Sequence, residues 1–457
     1  MIYLHVPFCG SFCTYCDFYS EICRSAQAFN EYADAVIAEI RDRRKELEMN
    51  MSAQDAVNTL YIGGGTPSVL PLDVLSRIVG AVTEPVVRHD SPTVEAPNRP
   101  VAEPVEVTVL TESFEEFTVE VNPEDIVEKG REYVRGLLAL GVNRISMGIQ
   151  SFNDDILRWM NRRHDASRAV KAFRILRECG VRNISIDLIF GISQLTDEIW
   201  EDTIEKALEL TPEHISAYQL SIEEGSALAK MVADGRYVEA SEEQCRHQYD
   251  ILCRSLGRSG YHHYEISNFA KPGFEAVHNS AYWSRSPYIG LGPSAHSLTG
   301  NLRSWNSQEL PHRQPGEALS SDPYLTSCQT SSHNPCEIPS CNPGLTPCQS
   351  SFQNPAGTSS CNPHLPSFQT SGRNPNGKLV TYSRSFETLS PEDIRVERIM
   401  LSLRTDKGLE TTELYSLTDR AVIDALLDEG ALESHGDSIR IPEDHLFTSD
   451  EIVRELI

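Results

Sequence analysis

MIYLHVPFCGSFCTYCDFYS, residues 1–20, places Cys9, Cys13 and Cys16 directly after an apolar run over residues 2–8. The run reads as a buried strand over residues 3–6, so three thiols leave the end of that strand together. Clustered cysteines in a reducing compartment are metal ligands or redox groups rather than disulfides. A structural zinc site closes with four ligands, whereas a four-iron cluster held by three thiolates keeps one iron open to an outside ligand. The odd number favours the cluster. By itself this spacing leaves a zinc site, completed by His5 or Cys23, as the alternative.

Beyond this stretch, short β-rich runs alternate with helical ones. Strands are expected over residues 3–6, 58–62, 117–121, 144–149, 183–188 and 214–220, and helices over 27–48, 70–82, 128–140, 166–179, 198–208 and 241–259. Six strand–helix repeats imply an α/β fold with parallel strands and right-handed crossovers, as an open sheet or a barrel-like curl. In either form the site lies at the carboxyl ends of the strands.

Two stretches interrupt this order. Residues 84–116, rich in Pro, Val and Glu, read as a surface insertion. Residues 307–376 are low in complexity with a twenty-residue period: Cys328-Gln329 recurs as Cys348-Gln349 and Phe368-Gln369, and Asn334-Pro335 as Asn354-Pro355 and Asn374-Pro375. With so few aliphatic residues and repeated Asn-Pro breakers, the second stretch is expected to be a solvated, disordered insert extending to about 385. From about residue 386 a small separate unit begins. Ser390-Pro391-Glu392-Asp393 opens a helix, and helices over 419–428 and 449–456 flank a hairpin over 431–441, which suggests a winged-helix-like shape.

Composition limits the partners. The 457 residues carry a net charge of -26, and residues 386–457 alone hold 18 acidic against 7 basic residues, so nucleic acid is not expected as a partner despite the winged-helix outline. No membrane-spanning run or signal peptide is apparent, which reads as a soluble, cytoplasmic protein.

The remaining motifs gather where the strands end. Gly63-Gly64-Gly65-Thr66-Pro67 follows the second strand, Glu120 lies in the third, Gln150 ends the fourth and Asp187 lies in the fifth. On the edge that carries the cysteines, these polar residues form one pocket. Together with the cysteines they resemble the radical S-adenosylmethionine superfamily, in which a [4Fe-4S] cluster reductively cleaves the cofactor to a 5′-deoxyadenosyl radical. That resemblance implies a partial (β/α)6 barrel over residues 1–306. Tyr-Leu-His-Val-Pro-Phe-Cys, Glu-Val-Asn-Pro and Ser-Met-Gly-Ile-Gln-Ser-Phe narrow it to the oxygen-independent coproporphyrinogen III oxidase family. It implies that Cys9, Cys13 and Cys16 hold the cluster and that Tyr3, Gly64 and Glu120 contact S-adenosylmethionine. Tyr15, Gly65, Thr66, Gln150, Arg162 and Asp187 match residues that contact a second such molecule.

Two departures set the chain apart from the oxidases. Phe18 stands where those enzymes carry a fourth cysteine, and the chain starts one residue before its first motif. It is more similar to the family's haem chaperone branch, whose H-N-x-x-Y-W signature reads here as His278-Asn279-Ser280-Ala281-Tyr282-Trp283. The resemblance implies that this segment binds haem b, with an imidazole for iron and aromatic rings for the porphyrin. A local packing role is the bland alternative; His262 and His263 are lesser candidates for the iron. The implied function is transfer of haem to respiratory haem proteins at the membrane surface, with a homodimer admitted. Oxidative decarboxylation of coproporphyrinogen III is the alternative.

Overall fold

The computed structural model describes residues 1–52, 56–84, 86–87, 107–108, 114–308, 367–373 and 379–457. Most of residues 84–116 and of the Asn-Pro insert lie outside the described residues.

All six expected strands form: Ile2–Val6, Thr59–Gly64, Glu116–Val121, Arg144–Gln150, Ile184–Phe190 and His214–Gln219. They pair in parallel in unbroken chain order. A doubly wound sheet reverses its order partway; these six strands never do, so right-handed crossovers stack the helices that connect them on one face. Ile289–Leu291 adds in parallel on the outer side of the first strand, and the hairpin His262–Glu265 and Asn268–Ala270 adds antiparallel beside the sixth. The result is a nine-stranded sheet whose two edges do not pair with each other, an unclosed barrel. The six main strands are buried on both faces, which is why they read as near-continuous apolar runs. The three added strands are too short to carry a periodic signal.

The first expected helix is two helices, Ala26–Asp42 and Arg44–Met51, broken at Arg43. Arg43 is buried, and its guanidinium donates to Glu39, Glu46, the Gly290 carbonyl and the Ser297 hydroxyl. Glu39 in turn accepts from the Gly292 amide and the Asn306 side chain. This buried network fastens the helix pair to the sheet's outermost strand.

The expected boundaries of the insertions need correction. Glu116 is not insertion but the first residue of the third strand, and it is buried. Ser367–Arg373 and Leu379–Thr388 form an antiparallel pair, and the latter also pairs with Leu302–Asn306. Ordered backbone thus reaches back into the stretch assigned to the insert, because Leu379-Val380-Thr381-Tyr382 supplies β-forming residues that the Asn-Pro units lack. The C-terminal unit accordingly follows Thr388.

That unit has its own apolar core around Ile399, Leu414, Ile423 and Ile439. Helix Pro391–Ser402 opens with the capping box formed by Ser390 and Asp393. The expected hairpin is present as Glu433–His435 and Ser438–Arg440, joined by Leu409–Glu410. The unit is docked on the barrel: Glu397 accepts from Arg285 and Arg303, and Asp406 donates its amide to the Tyr264 carbonyl.

Because Arg43 is the only cation paired with Glu39 among the described residues, Arg43→Ala leaves a buried carboxylate without a counter-charge. It should destabilise the chain by about 3–5 kcal/mol, read as a lowered urea midpoint; Glu46→Gln, at the exposed end of the network, should cost far less.

Candidate functional site

A cavity of ≈ 260 Å³ opens at the carboxyl ends of the strands, and Cys9, Cys13 and Cys16 all line it. Two neighbouring segments hold the cysteine loop in place. On one side the glycine run bonds back to it: the Gly65 amide donates to the Val6 carbonyl at 2.8 Å and the Thr66 amide to the Phe8 carbonyl at 2.7 Å. The Thr66 hydroxyl lies 3.5 Å from Cys9 Sγ. A Cβ at Gly65 would sit 2.7 Å from the Phe8 carbonyl oxygen and 3.1 Å from Cys9 Sγ, so only glycine allows the two loops to lie this close. On the other side, the turn after the fourth strand's helix grips residues 12–14. Thr14 donates its amide to the Met160 carbonyl and its hydroxyl to the Trp159 carbonyl, and Asn161 donates to the Phe12 carbonyl. Arg162 donates to Cys13 Sγ at 3.2 Å and to the Gly148 carbonyl at 2.6 Å.

The alternative zinc site loses both of its extra ligands. The two ring nitrogens of His5 are engaged by the Tyr3 hydroxyl at 3.1 Å and the Tyr19 carbonyl at 2.9 Å. Burial lowers the His5 pKa to about 4, and the ring does not line the cavity. Cys23 is packed into the apolar core.

The polar residues expected from the strand ends do meet in this cavity. Tyr3, Tyr15, Gly64, Gly65, Thr66, Glu120, Gln150, Arg162 and Asp187 all contribute to its wall. Glu120 accepts from the Tyr61 hydroxyl at 2.8 Å and the Gly64 amide at 3.2 Å, while burial raises its pKa to about 7. Burial also raises Asp187, against the Arg144 guanidinium and the hydroxyls of Ser216 and Ser146. Gln150 sits at φ 70, the left-handed region that a non-glycine side chain enters only under constraint, and its buried Oε1 has no hydrogen-bond partner among the described residues. Burial raises the Cys9 thiol and pushes the Cys16 thiol up to about 12, so metal loading there releases protons. Three convergent thiols, a side-chain-free cradle at Gly65 and an orphaned amide oxygen fit an iron-sulfur cluster with a polar ligand beside it.

Helix Val277–Trp283 brings the H-N-x-x-Y-W segment to the same cavity, but not all of it. Glu116 accepts from the Val277 and His278 amides and so fixes the start of the helix. His278, Asn279 and Tyr282 line the cavity; Trp283 packs instead on Ile266 and Leu401, against the C-terminal unit. Of the two aromatic rings, Tyr282 lines this cavity and Trp283 does not. The His278 ring is buried, with Nδ1 2.7 Å from the Thr59 hydroxyl and Nε2 3.0 Å from the Tyr282 hydroxyl. Burial holds it well below the usual imidazole pKa and hence neutral. His262 and His263 lie elsewhere, in a second cavity. Two further residues of the cavity wall belong to no motif in the sequence: Arg144, a fully buried cation, and Tyr61, which orders Glu120. The available signal for Arg144 is a charged residue at the head of the buried strand Arg144–Gln150.

Residues 3–207 match the radical SAM superfamily. The chain is 33% identical over 310 residues to the heme chaperone HemW of Lactococcus lactis, covering 68% of this chain and 72% of that protein. To the heme chaperone HemW of Bacillus subtilis it is 34% identical over 310 residues, covering 68% and 74%. The chain belongs to the HemW family of radical SAM proteins. That superfamily implies a [4Fe-4S] cluster and S-adenosylmethionine as ligands. Coproporphyrinogen III oxidase (HemN) from Escherichia coli, also a radical SAM enzyme, shares the fold with a TM-score of 0.64 over 99% of this chain and 89% of that one, at 20% identity. HemW membership agrees with the presence of the whole H-N-x-x-Y-W signature. No helix among the described residues is long and apolar enough to cross a membrane.

Gly65→Ala tests the cradle directly. The added methyl must push the cysteine loop off the glycine run, and thermal unfolding should report a loss of about 1–3 kcal/mol. An unchanged melting temperature would mean that the two loops are not held together as described.

Proposed function

We propose that this chain is a haem chaperone: it binds haem b and passes it to haem-dependent proteins, respiratory ones among them. Cys9, Cys13 and Cys16 hold a [4Fe-4S] cluster beside S-adenosylmethionine. The observation that carries this reading is that helix Val277–Trp283 delivers His278, Asn279 and Tyr282 into the cavity lined by the three cysteines, in a chain a third identical to HemW heme chaperones.

When bound, the cluster supplies one-electron chemistry to the cofactor. The chain's residues do the rest. Gly64 and Gly65 offer backbone without side chains, and Glu120, with a pKa of about 7, is a carboxylate that an amino group can hold. Tyr15, Gly65, Thr66, Gln150, Arg162 and Asp187 line the same cavity and are suited to a second S-adenosylmethionine. His278 is neutral and so keeps a lone pair for iron once one of its two hydroxyl partners moves aside. Tyr282 is the partner on the same helix, and its ring is the aromatic surface available to a porphyrin.

The oxidase reading asks more of the site than it offers. Decarboxylation needs a propionate aimed at a radical to within about an ångström, and Phe18 stands at the cavity wall where the oxidases carry cysteine.

Cys13→Ala should abolish the broad iron-sulfur absorbance after anaerobic reconstitution, since three thiolates are the fewest that hold the cluster; a retained cluster would remove Cys13 from the ligand set. Haem titration of the reconstituted chain should give a stable complex that weakens about tenfold or more in His278→Ala, while Trp283→Phe leaves it unchanged. Incubation with coproporphyrinogen III, S-adenosylmethionine and reductant should yield no vinyl product. Multiple turnovers of decarboxylation, or haem binding indifferent to His278, would return the chain to the enzymes.

A further inference from the structure

A second cavity of ≈ 250 Å³ lies where the C-terminal unit meets the barrel, and it belongs to none of the chemistry above. Into it come Cys253 from helix Glu242–Arg258, His263 from strand His262–Glu265, and Glu443 from the 3-10 turn Glu443–Thr448. The ligand atoms of these three residues lie within 4.8 Å of one another. His263 Nδ1 is 3.0 Å from Glu443 Oε1 and 3.9 Å from Cys253 Sγ. In a tetrahedral zinc site, with bonds of about 2.0 Å to nitrogen and oxygen and about 2.3 Å to sulfur, those separations are about 3.3 Å and 3.6 Å. The observed distances fall within roughly half an ångström of both.

The imidazole is already arranged as a metal ligand. Its plane is fixed by stacking on Phe269, with ring centroids 4.0 Å apart and 17° between planes. Its Nε2 lies 3.4 Å from both the Ile266 carbonyl and the Tyr249 hydroxyl, which leaves Nδ1 as the nitrogen that faces Cys253 and Glu443. With no ion bound, Nδ1–H donates to the Glu443 carboxylate; a divalent cation takes the place of that proton and draws in the Cys253 sulfur as a thiolate. One sulfur, one imidazole and one carboxylate form the donor set of a borderline-soft divalent ion, with a fourth position open to water from the cavity.

We propose that Cys253, His263 and Glu443 form a zinc-class site that fastens the C-terminal unit to the barrel. Two ligands come from the barrel's last helix and edge hairpin and the third from the docked unit, so the ion bridges the junction.

The test uses the full chain with its iron-sulfur cluster in place and zinc as the probe. One equivalent of zinc should be retained against a competing chelator, and X-ray absorption at the zinc edge should show one sulfur among nitrogen and oxygen ligands. Cys253→Ser should remove the sulfur, and both Cys253→Ser and Glu443→Gln should weaken zinc by about tenfold or more. The Glu443 side chain is 60% exposed, so Glu443→Gln folds even if the other variant does not. Zinc held equally by the parent and Glu443→Gln, zinc bound by two or more sulfurs elsewhere in the chain, or no retained zinc would each overturn the site.

Discussion

The first strand is clamped from both sides, by Thr59–Gly64 on one flank and Ile289–Leu291 on the other, and the geometry of the site follows from that clamp. A strand in the middle of a parallel sheet cannot slide by one residue without turning its core face outward. The loop after it therefore leaves at a fixed height, level with the glycine run and with the ends of the next four strands. Cysteines on an edge strand would have no such reference. The Glu39–Arg43 network serves the same end, because it secures the outer flank, Gly290 and Gly292.

Much of this architecture was legible because parallel strands buried on both faces leave an unmistakable mark in composition. All six main strands, the polar residues at their ends and the capping box at Ser390 could be read from residue type and spacing. What could not be read depends on contacts remote in sequence. The break at Arg43 arises from partners near residues 290 and 297, and nothing local in the helical pattern predicts it. The three-residue strand Ile289–Leu291 has no periodicity of its own and exists because the first strand needs a neighbour.

The H-N-x-x-Y-W segment shows the same division. The motif marks the place, but a seven-residue helix turns successive side chains by about 100°, so residues adjacent in sequence must face different surroundings. Tyr282 looks into the cavity and Trp283 out of it, toward Leu401. That split gives the signature two tasks. His278, Asn279 and Tyr282 furnish the pocket, while Trp283 couples their helix to the C-terminal unit.

The hydrogen bond between His278 and Tyr282 has a consequence for rates. A carrier whose ligand atom were bare would gain the full strength of each metal bond and release its load slowly. In the proposed reading the Tyr282 hydroxyl, 3.0 Å from Nε2, competes with iron for that nitrogen and stands on the same helix to recapture it when the bond to iron stretches. The departing state is thereby stabilised, and rotation of one tyrosine side chain becomes a step in loading and release.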